Sequence, residues 1–175
     1  MSRVVTWLQR HENRMFFWAN HKLNHAVLDY LFSYITHLGG ATFTIACSVL
    51  TAIFAPAPWN TVGLQAMTAL AVSHIPVAII KKKYPRLRPY LVLPQTNIGK
   101  SQLTDHSFPS GHTTAAFSVL VPFIMAYPML STALIPLGVL VGLSRMYLGL
   151  HYPSDVLAGC AVGTITAMAT VAFFH

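Results

Sequence analysis

Acidic residues are nearly missing from this chain: Glu12, Asp29, Asp105 and Asp155 are its only four in 175 residues. Lys and Arg number 11, so the formal net charge is +7. Charge of either sign is scarce, at 9% of residues, where a soluble domain carries roughly 25%. A chain that is 54% hydrophobic cannot cover a water-facing surface with so few charges, which excludes a soluble globule. The same apolar content excludes disorder. Cysteine is scarce too: Cys47 and Cys160 both lie in apolar stretches, which excludes a disulfide scaffold. The N-terminus lacks a 7–15-residue apolar core followed by a small-residue cleavage site, so no cleaved signal peptide is expected. The composition is that of an integral membrane protein.

Three stretches contain no Asp, Glu, Lys or Arg: Tyr30–Ile80, His106–Ser144 and Val156–His175. A bilayer core about 30 Å thick needs ~20 apolar residues per helix. The first stretch holds two spans, broken at Ala55-Pro56-Ala57-Pro58-Trp59-Asn60. The second holds two, broken near Tyr127-Pro128, and the third holds one. The pattern predicts an all-α polytopic bundle with spans over 40–57, 62–80, 109–127, 130–148 and 153–174. Pro76, Pro122 and Pro136 fall inside spans, where membrane helices tolerate them. No linker or repeat divides residues 1–175, so one domain is expected: an interfacial segment over 1–38 and a bundle over 39–175.

Residues 1–38 are too polar to cross a bilayer. Arg3, Arg10, Arg14 and Lys22 alternate with Trp7, Leu8, Phe16, Phe17 and Trp18, the pattern of amphipathic helices lying in the interface. Asn24 is placed to cap a second short helix ending at Gly39-Gly40. A sixth, tilted span through 23–38 is the alternative. His74, beside Ser73, reads as a cross-helix hydrogen-bonding residue. Gly159 and Gly163 read as a G-x-x-x-G packing face.

Polar residues gather in three clusters: Lys81–Pro89, Ser107–His112 and Ser144–Asp155. Counting spans puts all three on one membrane face. Cations with serine and backbone N–H groups make an anion site, and phosphate is the usual biological anion. Arg gives bidentate contacts and Lys a point charge. Pro109-Ser110 opens a helix whose N-terminus favours an anion, and Gly111 lets a ligand approach the backbone. His151 and Asp155 share a face if span five begins there, and the carboxylate then fixes the imidazole tautomer. His112 is left to protonate a leaving oxygen. Taken singly, each cluster has a plainer reading, as interfacial anchor, helix start or structural pair. Their joint occurrence on one face argues for chemistry.

Lys81 with six residues to Arg88-Pro89, the run Pro109-Ser110-Gly111-His112, and Ser144-Arg145 with five residues to His151 and three more to Asp155 resemble the type 2 phosphatidic acid phosphatase (PAP2) superfamily. That superfamily also includes glucose-6-phosphatase and the vanadium haloperoxidases. The resemblance covers residues 24–174. It implies that Lys81, Arg88 and Arg145, aided by Ser110 and the Gly111 N–H, hold the phosphate. It further implies that His151 attacks phosphorus to form a phosphohistidine, that Asp155 orients it, and that His112 serves the leaving group and then the water. No metal and no other cofactor is implied, and of the four acids only Asp155 is expected at the site.

The implied partners are the bilayer and a membrane lipid phosphate, with no nucleic acid. The substrate is expected to be an isoprenoid diphosphate such as undecaprenyl diphosphate, or a glycerophospholipid phosphate such as phosphatidylglycerophosphate or phosphatidic acid, with lipid A behind them. A haloperoxidase-related enzyme or an anion transporter is the alternative. A transporter places polar groups near the midplane, whereas these lie at one end. Sidedness sets two arguments against each other. All 11 Lys and Arg fall on the motif face, which the positive-inside rule makes cytoplasmic. The phosphate site, however, fixes Lys81, Arg88 and Arg145 whichever way it points, and most membrane members of the family work on the outer face of the cell membrane. The outer face is the expectation.

Overall fold

Several helices in this chain end where proline or charge interrupts an apolar run. The structure, a computed structural model, describes residues 3–99 and 103–174. Among these there are eight α-helices and no strand. They are α1 (Arg3–Phe17), α2 (Ala26–Ile35), α3 (Ala41–Phe54), α4 (Trp59–Lys83), the single turn α5 (Pro89–Val92), α6 (Gly111–Ala126), α7 (Ser131–Tyr147) and α8 (Pro153–Phe173). Each expected span has its helix, in α3, α4, α6, α7 and α8. Pro76, Pro122 and Pro136 are all carried inside helices.

Length separates these five. The helical stretches Trp59–Lys83, Pro128–Tyr147 and Pro153–Phe173 are long and apolar enough to cross a membrane. At ~1.5 Å per residue, 14-residue α3 and 16-residue α6 reach only about 21 and 24 Å. The stretch Ala26–Gly39 meets α3 at a 51° bend, and the pair together passes as one broken span. The bend falls at Gly40, two residues past residue 38, where the interfacial segment is expected to end. The helix expected to end at Gly39-Gly40 stops at Ile35 and tightens into a 3₁₀ turn over Thr36–Gly39. Its cap is His25 and not Asn24. The His25 ring accepts from the Val27 N–H at 3.2 Å, while the Asn24 N–H closes the preceding turn on the His21 carbonyl.

Small residues let α4, α6 and α8 approach closely. Ala66, Leu70, Ala115 and Val119 form one buried cluster, and Ala69, Val121 and Ala167 another. A Cβ added to Gly159 or Gly163 would sit 2.5 Å from the carbonyl oxygen of Ser110 or Thr114, so both glycines do form the α8 packing face. Ser118 donates to Ser73 across helices at 2.9 Å. His74 departs from its expectation, bonding the Leu70 carbonyl of its own helix at 2.8 Å because its ring lines a groove. Within an apolar 18-residue stretch of each of these three helical segments, only 28–39% of residues are buried within the protein. The outward surface, with Ile75, Ile79, Val139, Leu157, Ile165 and Met168 exposed, needs lipid to cover it.

α1 is amphipathic: Val4, Trp7, Leu8 and Met15 are exposed and Phe16 is buried, its ring 5.8 Å from that of Tyr152. The C-terminal ends of α4 and α7 and the N-terminal ends of α6 and α8 share one end of the bundle, joined by 84–110 and 148–152. The turns at 56–58 and 127–130 close the other end, where Trp59 stacks on Tyr127 at 4.1 Å. Lys100, one of the basic residues assigned to the motif face, lies outside the described residues.

Candidate active site

Three backbone arrangements bring the polar clusters together. The Ser107 N–H bonds the Arg86 carbonyl at 2.9 Å, folding segment 84–110 back on itself. The Ser110 N–H bonds the Asp155 carbonyl at 3.0 Å, tying the start of α6 to the start of α8. After α7, the Leu150 and His151 N–H groups both reach the Arg145 carbonyl, at 3.0 and 3.2 Å. That hairpin turns at Gly149, whose φ of +75° suits glycine, and a Cβ there would lie 2.6 Å from the Asn97 oxygen.

Residues from all three clusters meet around Arg88 and His151, each 1% exposed. Arg88 donates to the Asp105 carbonyl (2.8 Å), the Asp105 carboxylate (2.6 Å) and the Leu150 carbonyl (2.9 Å), and lies 3.2 Å from His151 Nε2. A guanidinium only donates, so Nε2 carries the lone pair and Nδ1 the proton. Nδ1 faces Ser107 Oγ at 3.4 Å and Asp155 Oδ2 at 3.5 Å, long for a hydrogen bond but with the polarity the tautomer requires. Asp155, fully buried, takes the Tyr152 N–H at 2.8 Å and the Ser107 hydroxyl on Oδ2. Its Oδ1 takes Arg86 at 2.8 Å. The His151–Asp155 pairing forms differently from expectation: α8 begins at Pro153, so the pair meets across the helix N-terminus and not along a helical face.

Arg145 is 2% exposed and paired with no described carboxylate. One guanidinium nitrogen donates to Thr36 Oγ1 at 2.5 Å, while Nε and the other terminal nitrogen have no partner. An uncompensated buried guanidinium calls for an anion. It lines a chamber of about 310 Å³ with Thr36, His37, His112 and Leu150. His112 also lines a second, mostly apolar groove of about 660 Å³ running between α3, α4 and α6 from Lys81, Asp105 and Gly111 down to Met67. Ser110 caps α6, its buried Oγ accepting from the Thr113 N–H (3.4 Å) and hydroxyl (3.0 Å). Gly111 meets nothing within 4 Å of an added Cβ, so its backbone faces open space.

Two acids join Asp155 here, correcting the expectation of one. Asp105 bridges Lys81 and Arg88. Partial burial pushes its carboxyl up, but the bond to Lys81 and the two cationic charges outweigh that and hold it at about 2. Glu12, on α1, pairs with Arg86 at 2.7 Å. Burial and the Arg145 and Arg88 charges lower the His151 imidazole to about 4 against the opposing pull of Asp155. Ser107 and Arg86, which the sequence places in the polar clusters without a role, and Thr36 and His37, which it does not single out, also stand at the site. Their contacts cross the chain at long range, and the one available signal was that Asp105 and Ser107 flank the Ser110-Gly111-His112 run. Among the described residues no three His, Cys, Asp or Glu side chains gather as metal ligands.

The model of the PAP2 superfamily matches residues 62–175, well over half of the chain. The bacitracin transport permease protein BcrC of Bacillus licheniformis is 31% identical over 60% of this chain, which spans 52% of that relative's length. The undecaprenyl-diphosphatase BcrC of Bacillus subtilis is 28% identical over 87% of this chain and 79% of its own. The crystal structure of a transmembrane PAP2-type phosphatidylglycerolphosphate phosphatase from Bacillus subtilis superposes with a TM-score of 0.78 at 25% identity. That match covers 98% of this chain and 87% of that one.

Proposed function

Because the chain belongs to the PAP2 superfamily, we propose that it is an integral membrane lipid phosphatase working through a phosphohistidine. The observation that carries this is the junction at His112, where the chamber holding the unpartnered Arg145 guanidinium meets an apolar groove. A phosphate fits the chamber and a hydrocarbon chain the groove, which runs 14 residues of α4 from Lys81 to Met67, roughly 21 Å.

The phosphoryl group is held by Lys81, Arg88, Arg145, the Gly111 N–H and Ser110. His151 Nε2 attacks in line, forming a P–N bond as the P–O bond to the lipid breaks, and His112 gives that oxygen its proton. The imidazolium formed at His151 is stabilised through Nδ1 by Asp155. Water then attacks phosphorus, His112 takes its proton, and the P–N bond breaks to release phosphate. Positioning and cationic charge are what phosphoryl transfer chiefly requires, and three cations supply them without a metal. An isoprenoid diphosphate or a glycerophospholipid phosphate suits the groove, and the two Bacillus subtilis relatives are named for such substrates.

The reading extends to topology. Residues 1–175 form one domain with five crossings, the first being the bent α2–α3 pair, and α1 lies in the interface. The site faces outward. Single cysteines at Gln95 and Asn60, in a chain lacking Cys47 and Cys160, test this with an impermeant thiol reagent on intact cells. Gln95 labels if the site is outside, and labelling of Asn60 alone reverses it.

The activity is tested on a panel of purified lipid phosphates in detergent, assayed for released phosphate. Wild type releases phosphate from at least one, and His151→Ala loses several orders of magnitude in turnover. Near-normal turnover in His151→Ala refutes the mechanism.

A further inference from the structure

Arg86 belongs to none of the three phosphate motifs, yet it holds the carboxylate behind His151. One terminal nitrogen donates to Asp155 Oδ1 at 2.8 Å and Ser154 Oγ at 2.7 Å, and the other to Glu12 Oε2 at 2.7 Å. The guanidinium carbon stacks 3.9 Å from the centre of the Tyr152 ring. Glu12 is the chain's sole glutamate. Its Oε2 is used on Arg86, and its Oε1 takes the Ser154 hydroxyl and, at 3.3 Å, the Ser154 N–H. A carboxylate at the first turn of α8 is also favoured by the helix dipole.

These contacts bracket Asp155. Oδ2 is fixed by Ser107 and the Tyr152 N–H and faces His151, and among the described residues Arg86 alone holds Oδ1. Without Arg86 a fully buried carboxylate loses its counter-charge, keeps Glu12 nearby, and is free to rotate off Nδ1. We propose that Arg86, locked by Glu12 of α1, is a positioning residue that aims Asp155 at His151, making the surface helix part of the catalytic device. The inference rests on the phosphatase reading above. It departs from a phosphate-binding role for Arg86, because both terminal nitrogens are occupied by Asp155, Ser154 and Glu12.

The test uses the full chain in detergent, with a short-chain isoprenoid diphosphate and a short-chain phosphatidic acid as substrates and inorganic phosphate as competitive inhibitor. Variants are Arg86→Met, Arg86→Lys, Glu12→Gln and the Arg86→Met/Glu12→Gln double. Misaiming a catalytic group by about 1 Å costs ~10²-fold, so Arg86→Met should lose about that in kcat. KM and the phosphate inhibition constant should stay within about twofold, since Lys81, Arg88 and Arg145 are untouched. Arg86→Lys should recover most of the loss. Glu12→Gln should lose about threefold to tenfold, and the double no more than Arg86→Met alone, because Glu12 acts through Arg86.

The acid limb of kcat/KM gives a readout that mere destabilisation does not move. The charged and titratable groups around the His151–Asp155 pair are Arg86 and Arg88 from segment 84–88, Arg145 from α7, His112 from α6, Tyr152 beside the pair and Glu12 from α1. Removing the Arg86 cation favours protonation of the pair, so the limb should move to higher pH. Unchanged kcat in Arg86→Met overturns the inference. So does a raised phosphate inhibition constant with kcat unchanged, which would put Arg86 on the phosphate. If Arg86→Met does not fold, Glu12→Gln and Arg86→Lys decide: wild-type kcat with an unmoved limb in both overturns it. A wild type that releases no phosphate fails the phosphatase reading and this one together. An active wild type with an inactive His151→Ala and a wild-type-like Arg86→Met fails this one alone.

Discussion

On the phosphatase reading, Asp105 stands where a phosphate oxygen would: its carboxylate bridges Lys81 and Arg88, and those cations keep it ionised with a carboxyl near 2. On that reading substrate displaces it. Asp105→Asn should therefore lower KM by about threefold to tenfold at neutral pH, the gain shrinking with salt as screening grows; unchanged KM in steady-state assays would separate Asp105 from the phosphate subsite. His151 makes a second prediction. Its imidazole is lowered from 6.5 to about 4, so it is neutral, with Nε2 able to attack, from pH 5 upward. kcat/KM should be flat in acid limb down to about pH 5 and fall tenfold per unit below 4. The unfolded chain takes up this proton near 6.5 and the folded one only near 4. Stability from this group is thus complete above about 6.5 and lost as pH falls toward 4. A limb centred on 6.5 in the pH–rate profile would contradict the buried, charge-repelled imidazole. The spacing of Lys81, Arg88, Ser110, His112, Arg145, His151 and Asp155 was legible because each lies in a local run of polar residues. Asp105 and Glu12 were not, because a lone charge carries no local pattern and its partner is 17 to 74 residues away; Arg86 stood in the Lys81–Pro89 run, but nothing local marks its pairing with Asp155 and Glu12.

At the scale of elements, α8 bears on the site through its seam with α6. A Cβ at Gly159 would come within 2.5 Å of the Ser110 carbonyl and 3.2 Å of Thr113 Cβ. That is one turn from where the Ser110 N–H meets the Asp155 carbonyl. Gly159→Ala should cost ~1–3 kcal/mol by overpacking and lower kcat as well, by shifting Asp155. Gly163→Ala crowds Thr114 further along the helix and should cost similar stability with less effect on turnover. Thermal unfolding in detergent, paired with phosphate release, separates the two. The helices themselves could be read from the charge-free runs, since only apolar segments escape water. Their lengths could not. α3 starts only at Ala41, after the close approach of Gly39 to α6, where a Cβ would lie 2.7 Å from the His112 carbonyl, a packing constraint invisible to hydropathy.

For the whole molecule, on the phosphatase reading, the cationic end supplies the charge that a metal supplies elsewhere, and the acids near it are paired, Asp105 with Lys81 and Arg88, Asp155 with Arg86. Phosphate release should survive EDTA, and vanadate should inhibit as a mimic of pentacoordinate phosphorus; activity lost to EDTA and restored by magnesium would overturn that expectation. The groove beneath this end is bordered by Ile45 and Met67, both exposed on the bundle's outer surface. Its opening is sideways, into the bilayer. Such an entrance samples a two-dimensional solution, in which a substrate's effective concentration is its share of the surrounding lipid and not its amount per litre. Diluting the substrate with inert detergent at fixed bulk concentration thins that population at the doorway, so on the phosphatase reading the saturation curve should be one drawn against mole fraction.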